Sequence, residues 1–150
     1  MRLDFRVPGR AVPWSIKLNR RTGSIYPSER VREWQQTVAD HARAAIYGED
    51  ENSETEGQFP VAPDVPIALE VICYRKRPTG KRAALHYDVR KPDATNIQKA
   101  VEDALRGIVY PDDAQVVSPA CHKRFCGKGS AEHVQVRVWS AGDRPGKWGL

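Results

Sequence analysis

Hydrophobic and polar positions change period along this chain, and each change marks an element. Leu3, Phe5 and Val7 alternate with Asp4 and Arg6, the two-residue period of a half-buried strand, which Pro8 and Gly9 close. From there to Tyr26 the period is lost among basic residues and turn formers, which predicts a loop. Ser28 is placed to cap a helix running to about Tyr47, with Val31, Trp34, Val38, Ala42 and Ala45 along one face. Residues 48–66 hold Gly, Pro, Ser and acids without periodicity and predict a mobile surface loop, not a domain boundary, since neither flank would fold well alone. Ile67, Leu69, Val71 and Cys73 interleave with Ala68, Glu70, Ile72 and Tyr74; apolar residues on both faces predict a central strand that runs directly into the basic segment Arg75–Arg82.

A second helix is expected from about Thr95 to Arg106. Ile97, Ala100, Val101, Ala104 and Leu105 face the core, and Gly107 stops the helix. Asn96, Lys99 and Asp103 form a polar stripe on the other face. Val116 to about Phe125 and the alternation of Val134, Val136 and Val138 predict two more strands, and the Gly- and Pro-containing tail after Ser140 is expected to fray. The order β-α-β-α-β-β predicts an α+β fold, a small mixed sheet with helices packed on one face, in one domain spanning all 150 residues. A chain of this length buries roughly 68–70% of the surface its unfolded form exposes, so it needs no staples.

Composition adds a compartment and a partner. Cys73, Cys121 and Cys126 are an odd number of cysteines beside no secretory signal and no bilayer-spanning apolar run, which predicts a reducing, cytoplasmic location away from membranes. The net charge is +5, but Glu49, Asp50, Glu51, Glu54 and Glu56 form an acidic block, and the rest of the chain without it carries +10. Basic residues cluster at Arg2, Arg6 and Arg10, at Lys17, Arg20 and Arg21, from Arg75 through Lys76, Arg77, Lys81 and Arg82, and at Lys123, Arg124 and Lys128. That is the footprint of a phosphate-backbone binder, although a merely solvated surface has the same composition.

The chemistry concentrates around the second helix. Lys91-Pro-Asp93 precedes it, and Asp112 and Asp113 follow it. Phosphodiester hydrolysis needs charge neutralised on the scissile phosphate and hydroxide generated near neutral pH, both of which Mg²⁺ supplies through one or two carboxylates, waters and substrate phosphate. Asp93 and Asp113 are the natural pair if their two loops converge beside the sheet edge. Each residue also has an ordinary explanation. Asp93 could cap the helix, but Thr95 with Gln98 matches a capping box and competes for that role. Asp112 and Asp113 could form a turn, although two adjacent like charges gain from a nearby cation. Lys99 could pair with Asp103, in the less favourable order for a helix and for only about 0.2–0.5 kcal/mol, or reach a phosphate.

The pattern Lys91-Pro-Asp93, Asn96, Lys99-Ala100, Asp103-Ala-Leu105, Gly107 and Asp112-Asp113 with Gln115-Val116 resembles the RusA family of Holliday-junction resolvases, small Mg²⁺-dependent endonucleases of bacteria and phages. The segment around Val7-Pro8-Gly9, Val12-Pro13, Tyr26 and Ser28 is a looser match. The resemblance implies a cytoplasmic homodimer that binds four-way junctions and nicks two opposing strands symmetrically, in DNA recombination and repair. It makes Asp93 and Asp113 metal ligands, Lys99 the catalytic lysine, Asp112 a catalytic acid, and Asn96 and Asp103 supporting residues, with Mg²⁺ as cofactor and Mn²⁺ a substitute. Arg20, Arg21, Arg75, Lys76, Arg77, Lys81, Arg82 and Lys91 are the candidate DNA contacts. One position departs: Thr95 stands where the family's motif has a second acid. The site then works with two carboxylates and more water, recruits Asp88 or Asp103, or has lost cleavage and left a junction-binding or architectural protein.

Other features carry less. Cys121, His122, Cys126 and His133 contain zinc-ligand types at poor spacing on predicted strands. His86 and Tyr87 suggest no role, and Trp34 belongs to the core. Trp14, in the basic N-terminal loop, is a candidate either to stack on an unpaired base or to pack against the sheet.

Overall fold

In the computed structural model, residues 1–48, 58–80 and 85–142 are described. The acidic block, Lys81, Arg82 and the end of the tail lie outside them. Strand β1 (Arg2–Pro8) leads through a short hairpin, β2 (Ile16–Leu18) and β3 (Ile25–Pro27), to helix α1 (Glu29–Tyr47). Strand β4 (Ile67–Arg75), helix α2 (Ala94–Leu105), strand β5 (Val116–Phe125) and strand β6 (His133–Ser140) follow. The main sheet has the order β1-β6-β4-β5. Its β4–β5 pair is parallel and the others antiparallel, so the sheet is mixed, as the element order predicted. Both helices pack against each other over one sheet face, α1 touching β1 and α2 touching β5.

The expected core is the observed one except at the end of α1, where Ile46 is fully buried and the expected Ala45 only partly. Leu3, Phe5 and Val7 of β1, Val134, Val136 and Val138 of β6 and Ile67, Leu69, Val71 and Cys73 of β4 bury one sheet face under Val31, Trp34, Val38 and Ala42 of α1 and Ile97, Ala100, Val101, Ala104 and Leu105 of α2. Strand β4 is inner and buried on both faces, as its double apolar pattern required. On its far face Glu70 is held by Arg137 at 3.2 Å. Ser28 caps α1 by accepting the Val31 amide at 3.4 Å.

Three local expectations are corrected. The predicted basic loop contains the β2–β3 hairpin, which escaped notice because its strands are three residues long and its apolar residues Ile16, Leu18 and Ile25 are exposed. The second half of the predicted 48–66 surface loop is packed: Phe59 and Val61 are buried, and the Val61 amide donates to the Val109 carbonyl at 2.9 Å. Gln115 fastens this segment, its side-chain amide donating to the carbonyls of Ala62 and Val65 at 2.9 and 3.1 Å.

The third correction concerns the start of α2. The helix begins at Ala94, so Asp93 takes the cap position without a side-chain capping bond, and Thr95 lies inside the first turn. Gln98 donates to Glu102 at 2.9 Å in place of the expected box with Thr95. A capping box does form one element later: Asp112 accepts the Ala114 amide at 2.9 Å, and the Gln115 side chain accepts the Asp112 amide at 3.2 Å. Gly107 ends α2 with φ +81°, the left-handed conformation a glycine tolerates best.

Candidate active site

Because β4 and β5 are parallel, α2 must run back across the sheet between them. Asp93 enters α2 from the end where Arg75 pairs with Phe125, while Asp112 and Asp113 lead into the opposite end, where Ile67 pairs with Val116. At a rise of about 1.5 Å per residue, Asp93 and Asp103 are roughly 15 Å apart along the helix. Two oxygens on one Mg²⁺ are no more than about 4 Å apart. Along the helix axis Asp93 and the Asp112–Asp113 turn therefore stand at opposite ends of α2.

What does converge is at the C-terminal end of α2. Asp103 neighbours Asp113, and burial pushes its carboxyl above the usual carboxylate range; the Asp113 charge adds to this, while Lys99 opposes it. Burial raises Glu102 too, against the Gln98 hydrogen bond, with Asp113 and Asp103 adding to the rise. Beneath them Tyr110 is fully buried, donates its hydroxyl to the Glu102 carbonyl oxygen at 2.9 Å, and is pushed above its ordinary range by burial and the neighbouring acids. Glu102 was not singled out from the sequence, although its place beside Asp103 was visible; its half-burial comes from the fold. Asp112 is held low first by the Ala114 amide, the bond that makes it a turn cap.

Among the described residues no group of three or more His, Cys, Asp or Glu could hold a metal ion, and zinc at Cys121, His122, Cys126 and His133 has no support. Mg²⁺ asks for less. Two partly buried carboxylates that repel each other, Asp103 and Asp113, fit an ion that needs one or two carboxylates and completes its octahedron with water and phosphate.

The N-terminal end of α2 has the opposite character. Lys91 Nζ donates to both Asp93 oxygens at 2.6 and 2.8 Å, and this bond with the lysine's charge holds the exposed Asp93 carboxyl below its usual range. Thr95 is exposed beside it. The Trp14 amide donates to the Asn96 carbonyl at 2.9 Å, and Lys99 Nζ lies 4.8 Å from the centre of the Trp14 ring. Trp14 thus packs on α2 and supports the candidate catalytic lysine through a cation–π contact.

Asp88 is not near these acids. It is almost fully buried and taken up by Arg90 at 2.7 Å and Arg75 at 3.2 Å. Burial alone would raise its carboxyl, but the Arg90 hydrogen bonds and both arginine charges outweigh that and lower it. Arg75 also donates to the Lys91 carbonyl at 2.8 Å, so this candidate DNA contact braces the loop that carries Asp93. Arg77 lies over the Phe125 ring at 4.6 Å and donates to the Leu85 carbonyl. Arg20 and Arg21 are exposed at the turn of the β2–β3 hairpin, and Lys76 and Lys91 are exposed as well.

Carboxylates and a lysine on one helix, set among exposed cations, are the parts of a metal-assisted nuclease. Residues 15–138 match the family described as Endodeoxyribonuclease RusA. The uncharacterized protein YqaN of Bacillus subtilis (strain 168) is 32% identical over 101 residues, covering 65% of this chain and 70% of that protein. The chain belongs to the RusA endodeoxyribonuclease family, whose members act on branched DNA at Holliday junctions and generally depend on a divalent metal.

Proposed function

We propose that this protein is a Mg²⁺-dependent endonuclease that resolves four-way junctions by paired symmetric nicks, acting as a homodimer in the cytoplasm of a bacterial or phage-infected cell during recombination and repair. What supports this reading is the family match over residues 15–138, together with Lys99 midway along α2 on the Trp14 ring and the neighbouring Asp103 and Asp113 at the helix's C-terminal end. Since Asp93 stands at the other end, a site using both Asp93 and Asp113 takes them from two copies, and a two-fold dimer then has two such sites for two nicks. No helix among the described residues is long and apolar enough to cross a membrane.

In this reading Asp113, backed by Asp103 of its own chain and joined by Asp93 of a second copy, would hold the cation, which would neutralise the scissile phosphate and supply hydroxide near neutral pH. Mn²⁺ substitutes. Lys99, steadied by Trp14, stabilises charge developing on the phosphate. Arg20, Arg21, Lys76, Arg77 and Lys91 contact the DNA backbone. A second reading rests on Thr95, which brings a hydroxyl where the family's motif has a carboxylate: a junction-binding protein with an impaired site.

A synthetic four-way junction tests the proposal. With Mg²⁺ the protein should nick two opposing strands symmetrically, while Asp113→Asn should bind without cutting. Binding by the unmutated protein with no cutting in either Mg²⁺ or Mn²⁺ would leave the second reading.

A further inference from the structure

Next to Asp93 the surface opens into a cavity of about 540 Å³ whose wall includes Arg10, Arg30, Arg75, Lys91, Lys123 and Trp14. Its size falls in the range of small-ligand pockets, about 300–1,000 Å³. Five cationic side chains line it; Arg10, Arg75 and Lys91 are paired with Glu132, Asp88 and Asp93, and the remaining excess of two positive charges, from Arg30 and Lys123, favours an anion. Several of those cations are held in advance: Arg10 by Glu132 at 2.6 Å, Arg75 by Asp88 and the Lys91 carbonyl, and Lys123 by the Arg90 carbonyl.

The wall is not only cationic. Trp14 contributes aromatic surface, and Asn96 brings a side-chain amide able to donate and accept. Lys99 contacts the Trp14 ring without lining the cavity, so ring surface remains on the cavity side. Anion-binding and aromatic groups around one space match a nucleotide, phosphate and base together, better than a bare phosphate. Paired, stacked bases cannot enter such a space, but bases at a strand-exchange point have interrupted stacking and cost least to extrude.

We propose that this cavity binds one unpaired nucleotide of the junction, its base against Trp14 and its phosphate near Arg75 and Lys123, directly beside Asp93. The inference rests on the proposed junction-cutting function and adds a ligand to it.

The test places 2-aminopurine in turn at each position around the exchange point of a synthetic junction and adds full-length Asp113→Asn protein. One symmetry-related pair of positions should be quenched by stacking on the indole, and the same probe in linear duplex should not respond. Ala11→Phe, which puts a ring into the cavity wall and leaves every cation in place, should abolish that quenching and weaken junction binding about tenfold, the worth of one lost base stack. A mononucleotide titration into the unmutated protein should shift the Trp14 indole N–H resonance where inorganic phosphate at equal concentration does not. Junction binding with no quenched position, equal quenching in duplex, or equal shifts with phosphate alone would overturn the nucleotide site and leave the proposed function standing. Failure to bind the junction at all would overturn both.

Discussion

At the N-terminal end of α2 an exposed aspartate, Asp93, is gripped by Lys91 and held ionised; at the C-terminal end Asp103 is half-buried against Asp113 and its carboxyl is pushed up. The residue type is the same and the setting is reversed. The helix macrodipole sharpens the contrast, since its positive end lies at the cation-rich side and its negative end at the carboxylate pair. One helix therefore separates a surface that attracts phosphate from a site that attracts a cation, and a nuclease needs both within reach of one bond. The roughly 15 Å between them is why a second copy enters the proposed mechanism.

The strongest way to break this comparison is to disable one end at a time. Asp93→Asn and Asp113→Asn should each lose at least about 10²-fold in junction cleavage, in line with removal of a main electrostatic element, with little change in gel-shift affinity. Mixed and re-annealed as dimers, the two variants should recover nicking of one strand, because one of the two shared sites keeps both acids. A mixture that binds the junction and stays inert would show that the two ends do not share a metal.

Trp14→Leu removes both the ring that steadies Lys99 and the surface proposed for the base, so junction binding should weaken about tenfold and cleavage by saturating protein should slow about tenfold as well. Weaker binding with an unchanged rate at saturation would make Trp14 a DNA contact alone. Thr95→Asp gives the N-terminal end a second carboxylate; a severalfold rise in the Mg²⁺-dependent rate supports the enzyme reading, whereas cleavage appearing only in this variant favours the binding-protein reading. The added charge at the positive helix end should also stabilise the fold by about 0.3–1 kcal/mol in thermal unfolding.

The smallest effect is on stability at the other end. A carboxyl raised in the folded state binds more protons there than when unfolded, so the stability Asp103 contributes falls as pH rises from the ordinary carboxylate range through its raised value. Asp103→Asn should therefore unfold about 1 °C higher than the parent at neutral pH, with the gain vanishing in acid. Mg²⁺ should raise the melting temperature of the parent more than that of the variant. A variant less stable at neutral pH would mean that Asp103 is a structural hydrogen-bonding group.

Much of this was readable along the chain. The buried faces of α1 and α2, the alternation in β1 and β6 and the doubly apolar β4 all appear where periodicity put them, because each needs only local spacing to bury one face. What escaped lacked period or depended on distant partners. Phe59 and Val61 sit in a Pro-containing stretch ordered by core packing and by bonds to Val109 and Gln115. Two segments matched the capping-box pattern, Thr95 to Gln98 and Asp112 to Gln115, and only the second closes; in the first, Gln98 turns to Glu102. Asp88 could have been a ligand by type, and two arginines, Arg75 at the end of β4 and Arg90 in the loop leading to α2, claim it.

The sequence by itself determined the parts: two amphipathic helices, the strands of the main sheet, a basic surface, and the acids and lysine carried by α2 and its flanks. These are local properties, written in spacing and residue type. Tertiary structure decided which of them meet. A parallel β4–β5 pair can be joined only by a crossover, so α2 runs the length of the sheet and carries Asp93 away from Asp113 while folding Glu102 and Asp103 against it. No spacing along a chain encodes that separation, because it depends on which strands pair and in which direction.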